Sequence, residues 1–312
     1  MPKNTSTKKS VIKDDGERMI PDFHKSKLLY GEHIIRYLAT QPLVKGKIAV
    51  DVASGSGYGT AVLGKTAKKV IGIDIDEKAV SYAQTTFGSK NVSFKLGSGV
   101  KLPLGDKSIE RLVSFETIEH IEDYREFLTE IKRVLKKDGI LILSTPNDIE
   151  FPEGNHYHVH EFVEKELVGL LKKQYKYVDM YYQSNWLYTM LSDKTKIANE
   201  WDSNIRTIQT ANIPTKKAIY FYVLCSDNPI KQKIDPIASA SEHYSARLLD
   251  ENEKSIRSFI EEQGKLIENQ RNRIDTLSTE LGQLRAKINK ITNNPLGKIA
   301  KPIAKRLYNN KK

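Results

Sequence analysis

Several stretches of this chain carry residues whose types and spacing could do chemistry. In Val50-Asp51-Val52-Ala53-Ser54-Gly55-Ser56-Gly57-Tyr58-Gly59, an apolar run from Ile48 meets glycines at every second position. A strand that turns so tightly into a helix presents bare backbone N–H groups to a ligand, and glycine alone combines that approach with a positive φ at no steric cost. A second apolar run, Val70 to Ile73, ends in Asp74. An acid about 20 residues after the glycines, at the end of the next strand, is placed to accept both hydroxyls of a ribose. The two features together predict a ligand containing adenosine. Further on come Phe115-Glu116-Thr117-Ile118-Glu119-His120 and Asn155-His156-Tyr157-His158-Val159-His160-Glu161-Phe162. In an extended chain the three alternating histidines would point one way as a set. With other ligands only dispersed along the chain, no metal site is expected. An imidazole, with a pKa of about 6.5, suits a general base at neutral pH.

The spacing Gly55-x-Gly57-x-Gly59 departs from the Gly-x-Gly-x-x-Gly of dinucleotide sites, and Asp51 stands just before the turn. A carboxylate there would repel a pyrophosphate and suits a ligand with an ammonium and a sulfonium. S-adenosylmethionine has both. At this point the chain resembles the class I S-adenosylmethionine-dependent methyltransferases. Asp51 to Gly57 is similar to the first motif of that family, and Gly72-Ile73-Asp74-Ile75-Asp76 to its second-strand motif. The likeness continues through His33-x-x-Arg36-Tyr37, Leu102-Pro103-Leu104, Phe115 to His120, and Leu135 to Asn147, spanning roughly residues 26 to 228. The resemblance implies that Asp51, Ala53, Ser54, Gly55, Ser56 and Gly57 hold the amino-acid end of the cofactor. It puts the ribose on Asp74 and the adenine against Ile75, Gly97 and Ser98. Phe115 and Glu116 would lie beneath the methionine end. Many members carry an acid where this chain has Ser98, which accepts a hydrogen bond without charge.

The histidine-rich stretch is also similar to that of methyltransferases encoded in bacterial surface-polysaccharide (O-antigen type) gene clusters, at Asn155, His158, Val159, Glu161, Phe162 and Gln183. That likeness implies O-methylation of a sugar hydroxyl with His158 as the base; Glu161, and His120 from the Phe115 to His120 segment, are further candidates for catalysis. Two alternatives stay open. One is a small phenolic or quinone-like acceptor; the other is a catalytically degenerate, membrane-associated scaffold.

To position these residues the chain needs strands at about 47–53, 69–74, 92–96, 110–115, 140–144, 176–182 and 218–225. Helices are expected at 26–39, from Gly59, and at 77–87, 123–136 and 161–173. The fold class is α/β: a Rossmann-like, seven-stranded, mostly parallel sheet with helices on both faces, the seventh strand antiparallel. In such a sheet ligands bind beyond the carboxyl ends of the strands, so Pro146 and Asn147 are expected to face the acceptor. Residues 184–217 exceed a simple connection, and Trp186, Tyr188 and Trp201 suggest a lid. The domain boundaries expected are a basic tail over 1–22, the methyltransferase domain over 23–228, a linker over 229–245, a coiled coil over 246–292 and a basic amphipathic tail over 293–312.

Composition bounds the rest. The net charge of +11 resides in the ends, at Lys3, Lys8, Lys9 and Lys13 and at Lys298, Lys301, Lys305, Arg306, Lys311 and Lys312. With Tyr308 the one aromatic among those basic residues, no nucleic-acid partner is expected. An anionic membrane surface suits the end segment better, because Leu296, Ile299, Ala300, Ile303 and Leu307 share one helical face. The single cysteine, Cys225, excludes an internal disulfide and lies in an apolar run. No apolar span or leader is seen in the sequence, so the cytoplasm, at the inner face of the membrane, is the expected location. Ile260, Ile267, Ile274, Leu281 and Ile288 repeat every seven residues, with Ile256, Leu277, Leu284 and Ile291 at the d positions. That seam predicts a coiled coil joining copies as a dimer, or as a trimer given Gln263 and Gln270 at d.

Overall fold

The computed structural model describes residues 19–21, 28–149, 157–185, 192, 195, 214–239, 244–293, 302, 305 and 306. Alternation decides the architecture. Along each central strand successive apolar side chains point to opposite faces. Val50, Ile71, Leu112, Leu141, Phe221 and Val223 therefore enter one core. Their neighbours Ala49, Val70, Val113, Ile142, Tyr222 and Leu224 enter another. A sheet apolar on both faces must be covered on both.

The elements, in chain order, are α1 (Leu28–Val44), β1 (Ile48–Val52), α2 (Tyr58–Gly64), β2 (Lys69–Asp74), α3 (Glu77–Phe87), β3 (Val92–Leu96), β4 (Ile109–Phe115), α4 (Tyr124–Val134), β5 (Leu135–Pro146), α5 (Glu164–Leu171), β6 (Tyr177–Gln183), β7 (Tyr220–Ser226) and α6 (Tyr244–Asn293). The sheet order is β3-β2-β1-β4-β5-β7-β6. β1 to β5 pair in parallel, while β7 runs antiparallel to both β5 and β6. This is the expected Rossmann-like, mostly parallel seven-stranded sheet. The α4 and α5 side chains Phe127, Leu128, Ile131, Leu167 and Leu171 fill one core. Tyr37, Leu43 and Val44 of α1, Tyr58 and Leu63 of α2 and Ala83 of α3 fill the other. Cys225 is buried in the first core.

The structure moves several boundaries. α4 ends at Val134, not Lys136, because Leu135 already pairs with Ile109. β5 therefore begins before Asp138-Gly139 and is 12 residues long. α5 begins at Glu164; the preceding Phe162 bridges to Asn147 and sits fully buried. The tail expected over 1–22 also shortens, since Met19 and Ile20 are buried and the Met19 carbonyl accepts a hydrogen bond from Ser56 Oγ. The start of the expected linker packs on the domain: Ile230 is buried beside Leu43 and Tyr222. Gln232 donates to the Pro42 carbonyl and Lys233 pairs with Asp179. The lid residues Trp186, Tyr188 and Trp201 lie outside the described residues, as do the basic residues of the two ends apart from Lys305 and Arg306.

The chain divides into two compact units, one ending at Glu242 and the other beginning at His243. In the second, α6 runs unbroken for 50 residues, about 75 Å at 1.5 Å per residue. Its Ile260, Ile267, Ile274, Leu281 and Ile288 are all exposed. Among the described residues no helix is long and apolar enough to cross a membrane.

Candidate active site at the carboxyl ends of the strands

The turn after β1 holds three residues at positive φ: Ala53 at 59°, Gly55 at 53° and Gly57 at 86°. Such values are uncommon outside glycine, and Ala53 marks local strain of the kind that clusters at functional sites. The turn is held from below: Ser54 N donates to the Ile73 carbonyl at 3.0 Å and Gly57 N to the Ser54 carbonyl at 2.9 Å. Gly57 caps α2 and has no room for a side chain, because a Cβ there would run into Ala83 and the Phe94 ring.

The acids expected to hold the ligand take different environments. Asp51 is fully buried, with one oxygen accepting from Thr60 Oγ1 at 2.6 Å. The other makes no close hydrogen bond among the described residues, although the Tyr37 hydroxyl lies near the carboxyl. Burial pushes its pKa up to about 7; hydrogen bonds from Thr60 and Tyr37 oppose that rise and nearby Asp74 adds to it. Asp74 uses one oxygen on Gly55 N (2.7 Å) and the other on Asp76 N (3.0 Å). Each carboxylate oxygen retains a second lone pair for a ligand hydroxyl. Next to it Ile75 is 75% exposed, and Leu96, paired with Asp74 across the sheet, is 52% exposed. Two uncovered apolar side chains at one strand edge suit the face of a flat ring. Leu96 was missed by sequence reasoning; its signal was its place at the end of β3. Ser56 is buried on the Met19 carbonyl, and Ser54 Oγ is buried without a partner among the described residues. Gly97 donates to the Asp74 carbonyl, while the Ser98 hydroxyl accepts from Val100 N at 3.4 Å.

Two expected contributors turn inward. Phe115 is a core residue, edge-on to Tyr37 at 5.0 Å and tilted against Tyr222 at 5.6 Å. It can offer a site its backbone, not its ring. Asn147, expected to face the acceptor, is buried and donates to the Lys216 and Ala218 carbonyls. It ties the end of β5 to the segment entering β7. Glu116, at φ 49°, accepts from Ser144 Oγ at 2.7 Å and lies 3.7 Å from buried Arg36. Arg36 in turn stacks over the Tyr220 ring and donates to Gln183.

The third group assembles from two distant stretches. The short 3-10 turn Ile118–His120 follows β4, and its Glu119 carbonyl accepts from both Val159 N and His160 N. This double hydrogen bond brings His158 against His120, with ring centroids 5.0 Å apart. His120 Nδ1 donates to the Tyr157 carbonyl at 2.9 Å, and His158 Nδ1 meets Glu161 Oε1 at 2.6 Å. One carboxylate oxygen of Glu119 and one ring nitrogen from each histidine lie within 4.8 Å of one another. Glu119 itself is fully buried, and Thr145 Oγ1 donates to its Oε2. Burial, with Glu116 adding, pushes its pKa well above the carboxylate range.

The alternating histidines do not act as a set. His160 turns away to Glu166 at 2.9 Å and packs its ring between Tyr124 and Phe162. His156 lies outside the described residues. The local backbone is drawn onto the Glu119 carbonyl rather than running as a strand, so the period-two argument fails here.

Residues 50–143 match the family model described as a methyltransferase domain. Two curated relatives are each named a probable S-adenosylmethionine-dependent methyltransferase. The one from Mycolicibacterium smegmatis is 33% identical over 168 residues, covering 52% of this chain and 65% of that protein. The one from Mycobacterium tuberculosis is 32% identical over 175 residues, covering 54% and 63%. The chain thus matches less than two thirds of those relatives' own length. A crystal structure of a SAM-dependent methyltransferase from Aquifex aeolicus is 21% identical, covers 67% of this chain and 98% of that one, and superposes with a TM-score of 0.45. Over residues 50–143, which run from within β1 to within β5, this chain carries the sequence pattern of a methyltransferase domain.

Proposed function

We propose that this chain is an S-adenosylmethionine-dependent methyltransferase that methylates a hydroxyl of a sugar, in a surface glycan or its precursor. The observation that carries the cofactor is Asp51. It is a buried carboxyl beneath the strained turn, met among the described residues only by the neutral hydroxyls of Thr60 and Tyr37 and by no cation. A ligand bearing ammonium and sulfonium charge supplies what that site lacks. The exposed apolar edge at Ile75 and Leu96 and the close-packed Gly57 suit an adenosine on the same strand ends.

When bound, S-adenosylmethionine supplies an electrophilic methyl group on a cationic sulfur. The chain's own residues hold and orient. Backbone groups of Ala53 to Gly57 and the Asp51 carboxylate would keep the amino-acid end, Asp74 the ribose, and Ile75 with Gly97 and Ser98 the adenine. Glu116 would flank the methionine end. His158, held by Glu161 through Nδ1, presents Nε2 as its basic nitrogen and would take the acceptor's proton, with His120 beside it. Positioning of the two reactants accounts for most of the acceleration in such a site. The sugar acceptor is supported by the likeness of Asn155, His158, Val159, Glu161, Phe162 and Gln183 to the polysaccharide-cluster enzymes.

The partners follow from the second unit. The exposed isoleucine and leucine seam of α6 supports a homodimer or homotrimer. The basic end segment would bring such an oligomer to an anionic membrane surface on the cytoplasmic side, at about 1 kcal/mol per basic residue near the surface.

Calorimetric titration of the full chain with S-adenosylmethionine tests the cofactor. A well-folded protein that does not bind it would leave the scaffold reading. Isotope-labelled cofactor offered with glycans extracted from the source cell, and in parallel with phenolic and quinone-like acceptors, tests the acceptor. Label in the small molecules alone would reject the glycan.

A further inference from the structure

Glu119 is more deeply buried than a general base requires. Its carboxyl is fully enclosed, Oε2 accepts from Thr145 at 2.9 Å, and Oε1 has no hydrogen-bond partner in any other described residue. An acid in that position is costly unless something positive meets it. What lies beside it is a pair of imidazoles, each already fixed. A carbonyl oxygen only accepts, so the 2.9 Å contact with Tyr157 puts a proton on His120 Nδ1. The Glu161 carboxylate likewise holds a proton on His158 Nδ1 at 2.6 Å. With Nδ1 protonated, the lone pair of each neutral ring is on Nε2. Metal-bound histidines are oriented in this way, the far ring N–H donating to a carboxylate or a backbone carbonyl.

We propose that Glu119, His120 and His158 form a binding site for a divalent first-row transition-metal ion. Two imidazole nitrogens and one carboxylate oxygen within 4.8 Å of one another make the two-histidine, one-carboxylate donor set. Imidazoles favour zinc, cobalt, iron or nickel over magnesium and calcium, which prefer oxygen alone. Three protein ligands leave coordination positions open for an acceptor oxygen. Glu116 adds a second acid nearby, so the pocket is short of positive charge even though Arg36 flanks it.

What the ion would do rests on the methyl-transfer reading; where it sits does not. An ion here lowers the pKa of a hydroxyl placed on it. In the loaded protein His158 is a ligand, and the acceptor's proton passes to solvent water as the oxygen–methyl bond forms and the sulfur–methyl bond breaks. The base role and the ligand role of His158 therefore exclude one another.

The test is a titration of the chelator-treated full chain with Co²⁺ alone, followed by visible absorption, with Zn²⁺ as competitor and circular dichroism as the check on folding. One saturable Co²⁺ per chain, displaced by Zn²⁺, is expected. Glu119→Gln, His120→Gln and His158→Gln should lose the signal, and Glu161→Gln should weaken binding about 10–100-fold as an outer partner. His160→Ala should bind as the unaltered chain does. If buried Glu119→Gln fails to fold, the two histidine variants decide. Absence of saturable Co²⁺ binding by folded protein, or equal binding by the histidine variants, overturns the site. S-adenosylmethionine titrated into the same samples separates the two proposals. Cofactor binding without Co²⁺ binding ends the ion site alone, whereas Co²⁺ binding without cofactor binding keeps the site and ends the methyl-transfer reading.

Discussion

Asp51→Asn keeps the shape of the side chain beneath the glycine turn and removes its charge. The Asp51 carboxyl is fully buried, and burial holds its pKa at about 7, Thr60 opposing and Asp74 adding to the rise. An unfolded aspartate titrates at about 3.9, so the folded chain binds this proton more tightly. The linkage sign follows: the stability that Asp51 contributes is fully present below the unfolded value and is lost as pH rises through 7. About three pH units at about 1.4 kcal/mol each bound the loss at about 4 kcal/mol. Asparagine has no proton to lose. The stability of the unaltered chain should therefore fall relative to Asp51→Asn between pH 4 and pH 8, by up to about that amount. Urea unfolding of both proteins at several pH values, followed by near-ultraviolet circular dichroism of the tyrosines around Asp51, measures the gap. Glu119 titrates in both proteins and cancels. Saturating S-adenosylmethionine should shrink the pH dependence of the unaltered chain and leave that of the variant unchanged. Parallel stability curves for the two apo proteins would refute the account of a charge-starved carboxyl.

The other predictions concern the turn, the proposed adenine edge and the long helix. Gly57→Ala places a side chain at φ 86° against Ala83 and Phe94; backbone strain and overpacking together should cost about 2–4 kcal/mol in urea unfolding. Gly46→Ala, at φ 68° with open space around it, should cost about 1–2 kcal/mol from strain alone; equal losses at both sites would discount the packing argument. Ile75→Ala removes a 75% exposed side chain, so stability should hold while cofactor affinity drops about 5–30-fold, the equivalent of about 1–2 kcal/mol of lost apolar burial. An unchanged affinity by calorimetry would remove Ile75 from the adenine site. Ile274→Lys puts a charge at the centre of the α6 seam and should convert the proposed oligomer to monomer in sedimentation equilibrium; a monomeric unaltered chain would end the coiled-coil reading.

Much of the sheet was legible in the residues, because its information is local. Apolar runs ending in Asp51, Asp74 and Phe115 announce strands, and Gly55 and Gly57 announce a turn no other residue type adopts easily. The helix expected over 77–87 is found at Glu77–Phe87, where Asp76 caps it by accepting from Lys78 N. α6 was equally plain, since a seven-residue repeat from Ile256 to Ile291 is written in the sequence alone. Element ends were less so: whether Leu135 closes a helix or opens a strand depends on its pairing with Ile109, 26 positions earlier.

What the tertiary structure decided was which polar groups meet. Asn147 looked like a ligand to the acceptor and is a brace for the entry to β7. His160 shares the spacing of His158 but goes to Glu166. Glu119 sits between Ile118 and His120 with nothing in its neighbours to separate it from any polar turn, yet the fold buries it completely and brings His158 to it from 39 residues away. The sequence by itself determined the strands, the glycine turn and the acids at their ends, because backbone geometry and alternation are set by near neighbours. Only the fold could decide which carboxyls lose their water and which imidazoles are fixed by a hydrogen bond. Desolvation and long-range contact depend on what packs across the chain, and no spacing along it records them.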